Sequence, residues 1–136
     1  MIWLLDTDTA IHFINRDAGY ERIARRMSGR SPGELRISAV ALAELRYGIE
    51  NSKHKRGNEQ ALAALLELIQ ADDFPVGAAR DAGEIRARLS RAGKTIGPYD
   101  VLIAAHARHI GATLVTNNET EFKRVPGLSL ANWLKP

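Results

Sequence analysis

The stretch Ile2-Trp3-Leu4-Leu5-Asp6-Thr7-Asp8-Thr9 decides how the rest of the chain is read. Four consecutive apolar residues ending in a carboxylate, without polar alternation, predict a strand covered on both faces, as in the centre of a parallel α/β sheet. In such sheets ligands gather outside the carboxyl ends of the strands, which puts Asp6 where a site would form. Asp8 and Thr9 are suited to cap the helix that follows. Two readings of Asp6 stay open from this stretch alone. It is a site carboxylate, or it only starts the turn and helps to cap the helix.

Downstream, Ala10, Ile11, Phe13 and Ile14 predict a short helix from Thr9 to Asn15. Tyr20, Ile23, Ala24 and Met27 predict a second, amphipathic one with its arginines outward. Ser31-Pro32-Gly33 reads as a turn and Leu35–Ser38 as a strand, with Ser38 the N-cap of a helix over Ala39–Ile49. The basic, polar segment Asn51–Asn58 interrupts the pattern before a long helix from about Glu59 to Ala71. Phe74-Pro75-Val76 is expected as a brief third strand, and Ala78–Arg91 as a helix with Ile85 and Leu89 inward. After a loop at Gly93–Gly97, Pro98 opens a helix through His109 that Gly111 ends. Ala112–Thr116 is a strand, Asn117–Glu121 a turn into a short helical piece, and Leu128–Leu130 a last strand. Strands alternating with helices predict one α/β domain over residues 1–136, a mainly parallel sheet flanked by helices.

Composition narrows the classes. The 136 residues include no cysteine, which removes disulfides, thiol catalysis and thiolate zinc sites together. No apolar run approaches the roughly 18 residues of a membrane span, and an acid at position 6 interrupts any secretory signal, so an intracellular, soluble protein is expected. A net charge of +3 and a pI of about 9.5 favour a polyanionic partner only weakly. The basic residues are clustered, at Arg22, Arg25, Arg26 and Arg30, at Lys53 to Arg56, and at Arg86, Arg88, Arg91 and Lys94; such runs are ordinarily solvated helix faces.

Three further carboxylates stand out. Glu44 has Val40, Ala41, Tyr47 and Gly48 as helical neighbours, which puts a charge on an apolar face where it needs a pair, hydrogen bonds or a metal. Asp100 lies in the first turn of the Pro98 helix, a place the helix dipole favours for any acid. Glu121 follows the strand ending at Thr116, whose hydroxyl reaches the same rim. Singly, each has a structural explanation. Together, a parallel sheet brings Asp6, Glu44, Asp100 and Glu121 to one edge, where they repel unless a cation lies between them. Oxygen ligands without histidine or cysteine point to Mg²⁺ or Mn²⁺, metals suited to displacement at phosphorus.

The chain resembles the PIN-domain ribonucleases, specifically the VapC toxins of type II toxin–antitoxin pairs. The resemblance rests on Leu4-Leu5-Asp6-Thr7, on Ile37-Ser38 with Ala43-Glu44-Leu45 and Tyr47-Gly48, and on Ile96-Gly97-Pro98-Tyr99-Asp100 with Ile103 to Ala107. It continues through Leu114-Val115-Thr116-Asn117-Asn118, Glu121-Phe122 and Val125 to Leu128, in family order across nearly the whole chain. It implies an acidic triad of Asp6, Glu44 and Asp100, with Asp6 and Asp100 binding Mg²⁺ (or Mn²⁺) directly. Two positions depart from the family pattern: Asp8 stands where Asn is common, and Asn118 where many members have a fourth acid, which leaves Glu121 as the substitute. Asp8, Thr116 and Asn118 are then supporting residues.

The resemblance further implies hydrolysis of an RNA phosphodiester by water to 3′-hydroxyl and 5′-phosphate ends, with tRNA as substrate. It implies a homodimer, a VapB-type antitoxin over the active site and a cytoplasmic setting. Lys53, Lys55, Arg56 and Lys94 are expected to hold the RNA backbone around the acidic site. His106 is expected to pack among apolar neighbours and His109 to sit near the surface.

Three other readings compete. A haloacid-dehalogenase-type phosphatase would employ Asp6 and Asp8 but needs a closing Gly-Asp-x-x-x-Asp motif that is missing. A response-regulator receiver would need an Asp ending a middle strand, whereas Asp72-Asp73 is expected to precede one. A PIN domain that has lost catalysis would be a binding module, against which Asp6, Glu44 and Asp100 argue.

Overall fold

The structure, a computed structural model, describes residues 1–136. Its centre is β1 (Trp3–Leu5), with Leu4 and Leu5 fully buried. Burying each such side chain contributes roughly 1.5–3 kcal/mol. Around it lie β2 (Leu35–Ser38), β3 (Gln70–Asp72), β4 (Thr113–Val115) and β5 (Ser129–Ala131), in the order β3-β2-β1-β4-β5 with every pairing parallel. Leu5 aligns with Ile37 on one side and Val115 on the other, so Asp6, Ser38 and Thr116 leave the sheet at one level.

Seven helices cover the sheet: α1 (Thr7–Ile14), α2 (Tyr20–Met27), α3 (Ala39–Glu50), α4 (Lys55–Leu68), α5 (Ala78–Arg91), α6 (Pro98–Ile110) and α7 (Glu119–Phe122). Strand leucines and valines, Leu62 and Leu65 of α4, Ile85 and Leu89 of α5, and Ile103 of α6 form one continuous core. Small residues on the facing sides, Ala82 of α5 and Ala104, Ala105 and Ala107 of α6, are buried and let helices pack closely. Arg108 fastens α6 to α5 through Asp81 at 3.0 Å and Glu84 at 3.3 Å, and donates to the Pro126 carbonyl at 3.1 Å. Pro98 starts α6 and Gly111 ends it at φ 69°, a left-handed conformation that suits glycine.

Several boundaries differ from expectation. The third strand is Gln70–Asp72, not Phe74–Val76. It is an edge strand of polar and small residues held by backbone pairing to β2, while Pro75 lacks the N–H a ladder needs. The long helix is Lys55–Leu68 instead of Glu59–Ala71, because an exposed first turn needs no apolar residue. The first helix begins at Thr7, capped by Asp6 itself and not by Asp8 or Thr9. Asp72 therefore ends a strand, contrary to the order used against a receiver. The strand order still differs from the 2-1-3-4-5 of flavodoxin-like folds, and Asp72 is paired with Arg36 at 3.2 Å.

Candidate active site

Asp6, the first of the expected site residues, is the helix cap. β1 runs into α1 without a spacer, so the Asp6 carboxylate turns back over the first turn and accepts from the Thr9 N–H at 2.8 Å. The Thr116 hydroxyl, just past β4, is near enough to favour the charged form of Asp6. Thr9 Oγ1 in turn donates to the Val115 carbonyl at 3.0 Å, tying the α1 start to β4. With only 3% of Asp6 exposed, burial dominates these bonds and raises its pKa to about 6, with the nearby charge of Asp8 adding slightly.

Glu44 hangs from the middle of α3. It is half-buried, flanked on one side by a cleft of about 180 Å³ with Ile11, Ile14 and Leu45 in its walls. On the other side is a cleft of about 350 Å³ lined by Val40, Tyr99 and Leu102. Its helical neighbours Tyr47 and Gly48 are exposed, so the face is less apolar than the spacing predicted. Glu44 joins no ion pair. Its Oε1 accepts from Thr7 Oγ1 at 2.7 Å instead, linking α3 to the first turn of α1.

Asp100, on the first turn of α6, has its pKa raised to about 6, first by burial and then by the negative charges of Glu121, Glu44, Asp6 and Asp8. Four other carboxylates thus lie within electrostatic reach of Asp100, and none of the five joins an ion pair. Glu121 on α7 accepts from Asn118 Nδ2 at 3.0 Å, and the Asn118 N–H donates to Thr116 Oγ1 at 2.9 Å. Asn118, the non-acidic departure from the family pattern, thus orients the acid expected to replace it. Asp8 is exposed on the first turn of α1.

The donors are all oxygens, the ligand chemistry of a hard divalent cation. Mutually repelling carboxylates without an ion-pair partner, Asp6 buried and Glu44, Asp100 and Glu121 half-buried, fit such an ion. As they stand, no three acidic or histidine side chains form a ready-made metal group.

Other expected residues fall elsewhere. Lys53, Lys55 and Arg56 are exposed around the start of α4, where Lys55 is held by Glu50 at 2.8 Å, and Lys94 is exposed in the loop before α6. His106 is fully buried, edge-on to Phe74 at 5.9 Å, with neither ring nitrogen hydrogen-bonded; burial lowers its pKa. His109 is at the surface and contacts Asp81 at 3.2 Å. Thr7 and Thr9 were not singled out as site residues in the sequence. Their signal lay in the Asp-Thr-Asp-Thr string, since a threonine one or three places after a helix-capping acid points a hydroxyl or N–H into the first turn.

The model of the PIN domain family matches residues 3–128. Ribonuclease VapC2 of Rickettsia felis is 40% identical over 137 aligned residues that cover 99% of this chain and 100% of that protein. The tRNA(fMet)-specific endonuclease VapC of Shigella flexneri is 39% identical, covering 96% of this chain and 97% of that one. Among solved structures, VapBC2 from R. felis bound to a promoter DNA fragment superposes with a TM-score of 0.88 at 39% identity, covering 98% of this chain and 99% of that chain. VapBC-1 from nontypeable Haemophilus influenzae gives a TM-score of 0.87 at 30% identity, covering 99% and 100%. The chain belongs to the PIN-domain family, in its VapC branch. No helix in it is long and apolar enough to cross a membrane.

Proposed function

We propose that this protein is a ribonuclease toxin that hydrolyses tRNA with Mg²⁺ or Mn²⁺, works as a homodimer in the cytoplasm, and is silenced by a VapB-type antitoxin. The observation that carries the reading is the set of carboxylates around Asp100, none of which is held in an ion pair. Relatives named for RNA cleavage, and structural neighbours that are VapBC complexes, support the substrate class and the partner.

Asp6 and Asp100 would hold the ion, with Glu121 offering a weaker further ligand. Bound there, a divalent cation supplies charge neutralisation at the scissile phosphate and acidifies water. The chain's own residues do the rest. Thr9 N–H holds the Asp6 carboxylate over the first turn of α1, and the nearby Thr116 hydroxyl favours its charged form. Thr7 occupies Glu44 Oε1, leaving Oε2 to accept a hydrogen bond from the attacking water and aim it at phosphorus. Asn118 steadies Glu121. No histidine belongs to the cluster, so the reading assigns attack to water and not to a base-activated 2′-hydroxyl. The products are then a 3′-hydroxyl and a 5′-phosphate. Lys53, Lys55, Arg56 and Lys94 are proposed to contact the RNA backbone.

The test is incubation of antitoxin-free protein with bulk tRNA in Mg²⁺, Mn²⁺ or EDTA, beside Asp6→Asn. Discrete cuts that need metal and vanish in the variant are expected. Intact RNA under all conditions, with the protein folded, would leave a binding module.

A further inference from the structure

The charge of the molecule is unevenly spread. Nineteen Lys and Arg face sixteen Asp and Glu, and five of those acids sit at the active site. The rest of the surface therefore carries eight more positive groups than negative ones. The densest collection lies on α2. Arg22, Arg25, Arg26, Lys135 and Pro136 line one open depression of about 390 Å³, four cations with no apolar side chain from the core among them.

None of the protein's ion pairs involves Arg22, Arg25 or Arg26. The start of α4, by contrast, is partly neutralised: Glu50 takes Lys55, and Glu59 takes Arg46 at 3.4 Å. Only Lys135 on this face has a carboxylate partner; three arginines side by side without one repel each other, and an anionic ligand would relieve that repulsion.

The depression is also tethered to the active-site edge. Arg22 Nη1 donates to the Leu134 carbonyl at 2.8 Å, and the Leu134 N–H to Asn132 Oδ1 at 3.0 Å. Asn132 Nδ2 donates to Glu119 at 3.1 Å, and Lys135 pairs with the same carboxylate at 2.7 Å. Glu119 opens α7, two residues before Glu121. The arginines of α2 are thus joined through the C-terminal segment to the helix that carries a site carboxylate.

We propose that this α2–Lys135 face holds the phosphate backbone of the RNA whose scissile bond enters the carboxylate cluster, an inference that rests on the ribonuclease reading above. Guanidinium groups without a carboxylate partner, and without an apolar floor or an aromatic ring among the lining side chains, recognise phosphate and not bases. The face therefore supplies affinity and steering but no choice of sequence.

The test uses the full-length protein as Asp6→Asn, which binds without cutting, and labelled bulk tRNA in an anisotropy titration across NaCl concentrations. R25E/R26E changes two side chains that make no hydrogen bond or ion pair, and R25Q/R26Q removes the charges without reversing them. Loss of two phosphate contacts lowers the slope of log affinity against log salt by about 1.4, and weakens binding about tenfold near 0.1 M salt. Both variants should show the smaller slope, with thermal unfolding no lower than the parent's, since like-charge repulsion is relieved, and unchanged antitoxin binding. An unchanged slope and affinity, while tRNA is still bound and cut by the parent proteins, would overturn the proposal and leave the ribonuclease reading standing. Unchanged RNA binding with weakened antitoxin capture would assign the face to the protein partner instead. If neither the Asp6→Asn protein binds RNA nor the unmutated one cuts it, the ribonuclease reading fails and takes this proposal with it.

Discussion

Replacing Asp6 by Asn should abolish cleavage and yet stabilise the metal-free protein. Burial raises the Asp6 pKa from 3.8 to about 6. At about 1.4 kcal/mol per unit, keeping this group ionised in the fold costs roughly 3 kcal/mol. The sign follows from proton uptake. Between the unfolded and folded pKa values the native state binds more protons, so stability falls as pH rises through about 4 to 6 and stays low above it. Asn carries no charge, remains a good N-cap, and keeps an oxygen for the Thr9 N–H. Its amide must replace one bond at Thr116, which reduces the gain by about 1 kcal/mol. The expected gain is about 2 kcal/mol at pH 7.5 in EDTA, or roughly 5–10 °C in Tm for a domain of this size. Near pH 4.5 the electrostatic part should shrink to about a third, because most native Asp6 is then protonated. Paired thermal and urea melts at both pH values measure it; groups that do not feel Asp6 cancel in the difference, while Asp100, whose pKa the Asp6 charge helps to raise, adds to the gain. Added Mg²⁺ should raise the Tm of the unmutated protein and not that of the variant. A variant less stable than its parent at pH 7.5 in EDTA, or a difference that ignores pH, would refute the reasoning.

Thr7→Val removes the hydroxyl on Glu44 Oε1 and leaves that carboxylate free to rotate; single-turnover cleavage should slow about tenfold, with a stability loss of about 1 kcal/mol in urea melts. Glu121→Gln, at the position proposed as a weaker ligand, should reduce cleavage about tenfold, against at least about a hundredfold for Asp6→Asn in the same gel assay. His106→Leu replaces a buried ring with no partner for either nitrogen. Burial lowers the His106 pKa, so the unfolded state takes up a proton more readily and stability falls as pH drops below the ordinary value of 6.5. The leucine variant should lack that part of the acid sensitivity, gain about 1 kcal/mol at pH 7, and cut RNA within about twofold of its parent.

The central strands and the helices that cover them were legible because burial on two faces leaves an uninterrupted apolar run, as at Leu4-Leu5, and one-sided burial leaves helical spacing, as at Ile85 and Leu89. β3 was not, since Gln70-Ala71-Asp72 contributes backbone pairing to an edge and almost nothing to the core. The start of α4 escaped for a related reason: its first turn faces water, and Gly57 and the basic residues there carry no periodic signal. At the site, the positions of Asp6, Asp100 and Glu121 followed from where strands end and helices begin. Glu44 followed from its spacing, but its partner Thr7 lies 37 residues away and could be found only in three dimensions. The dual role of Asp6 was present as two alternatives. The structure makes it the helix cap and also draws it into the carboxylate cluster, because strand and helix meet without an intervening residue.

The most direct test of the central claim, hydrolysis of RNA by water at a carboxylate-held divalent ion, is analysis of the ends left on tRNA by the antitoxin-free protein. A 5′-phosphate and a 3′-hydroxyl, formed in Mg²⁺ and absent in EDTA, are the predicted result. A 2′,3′-cyclic phosphate, or cleavage that persists in EDTA, would contradict it.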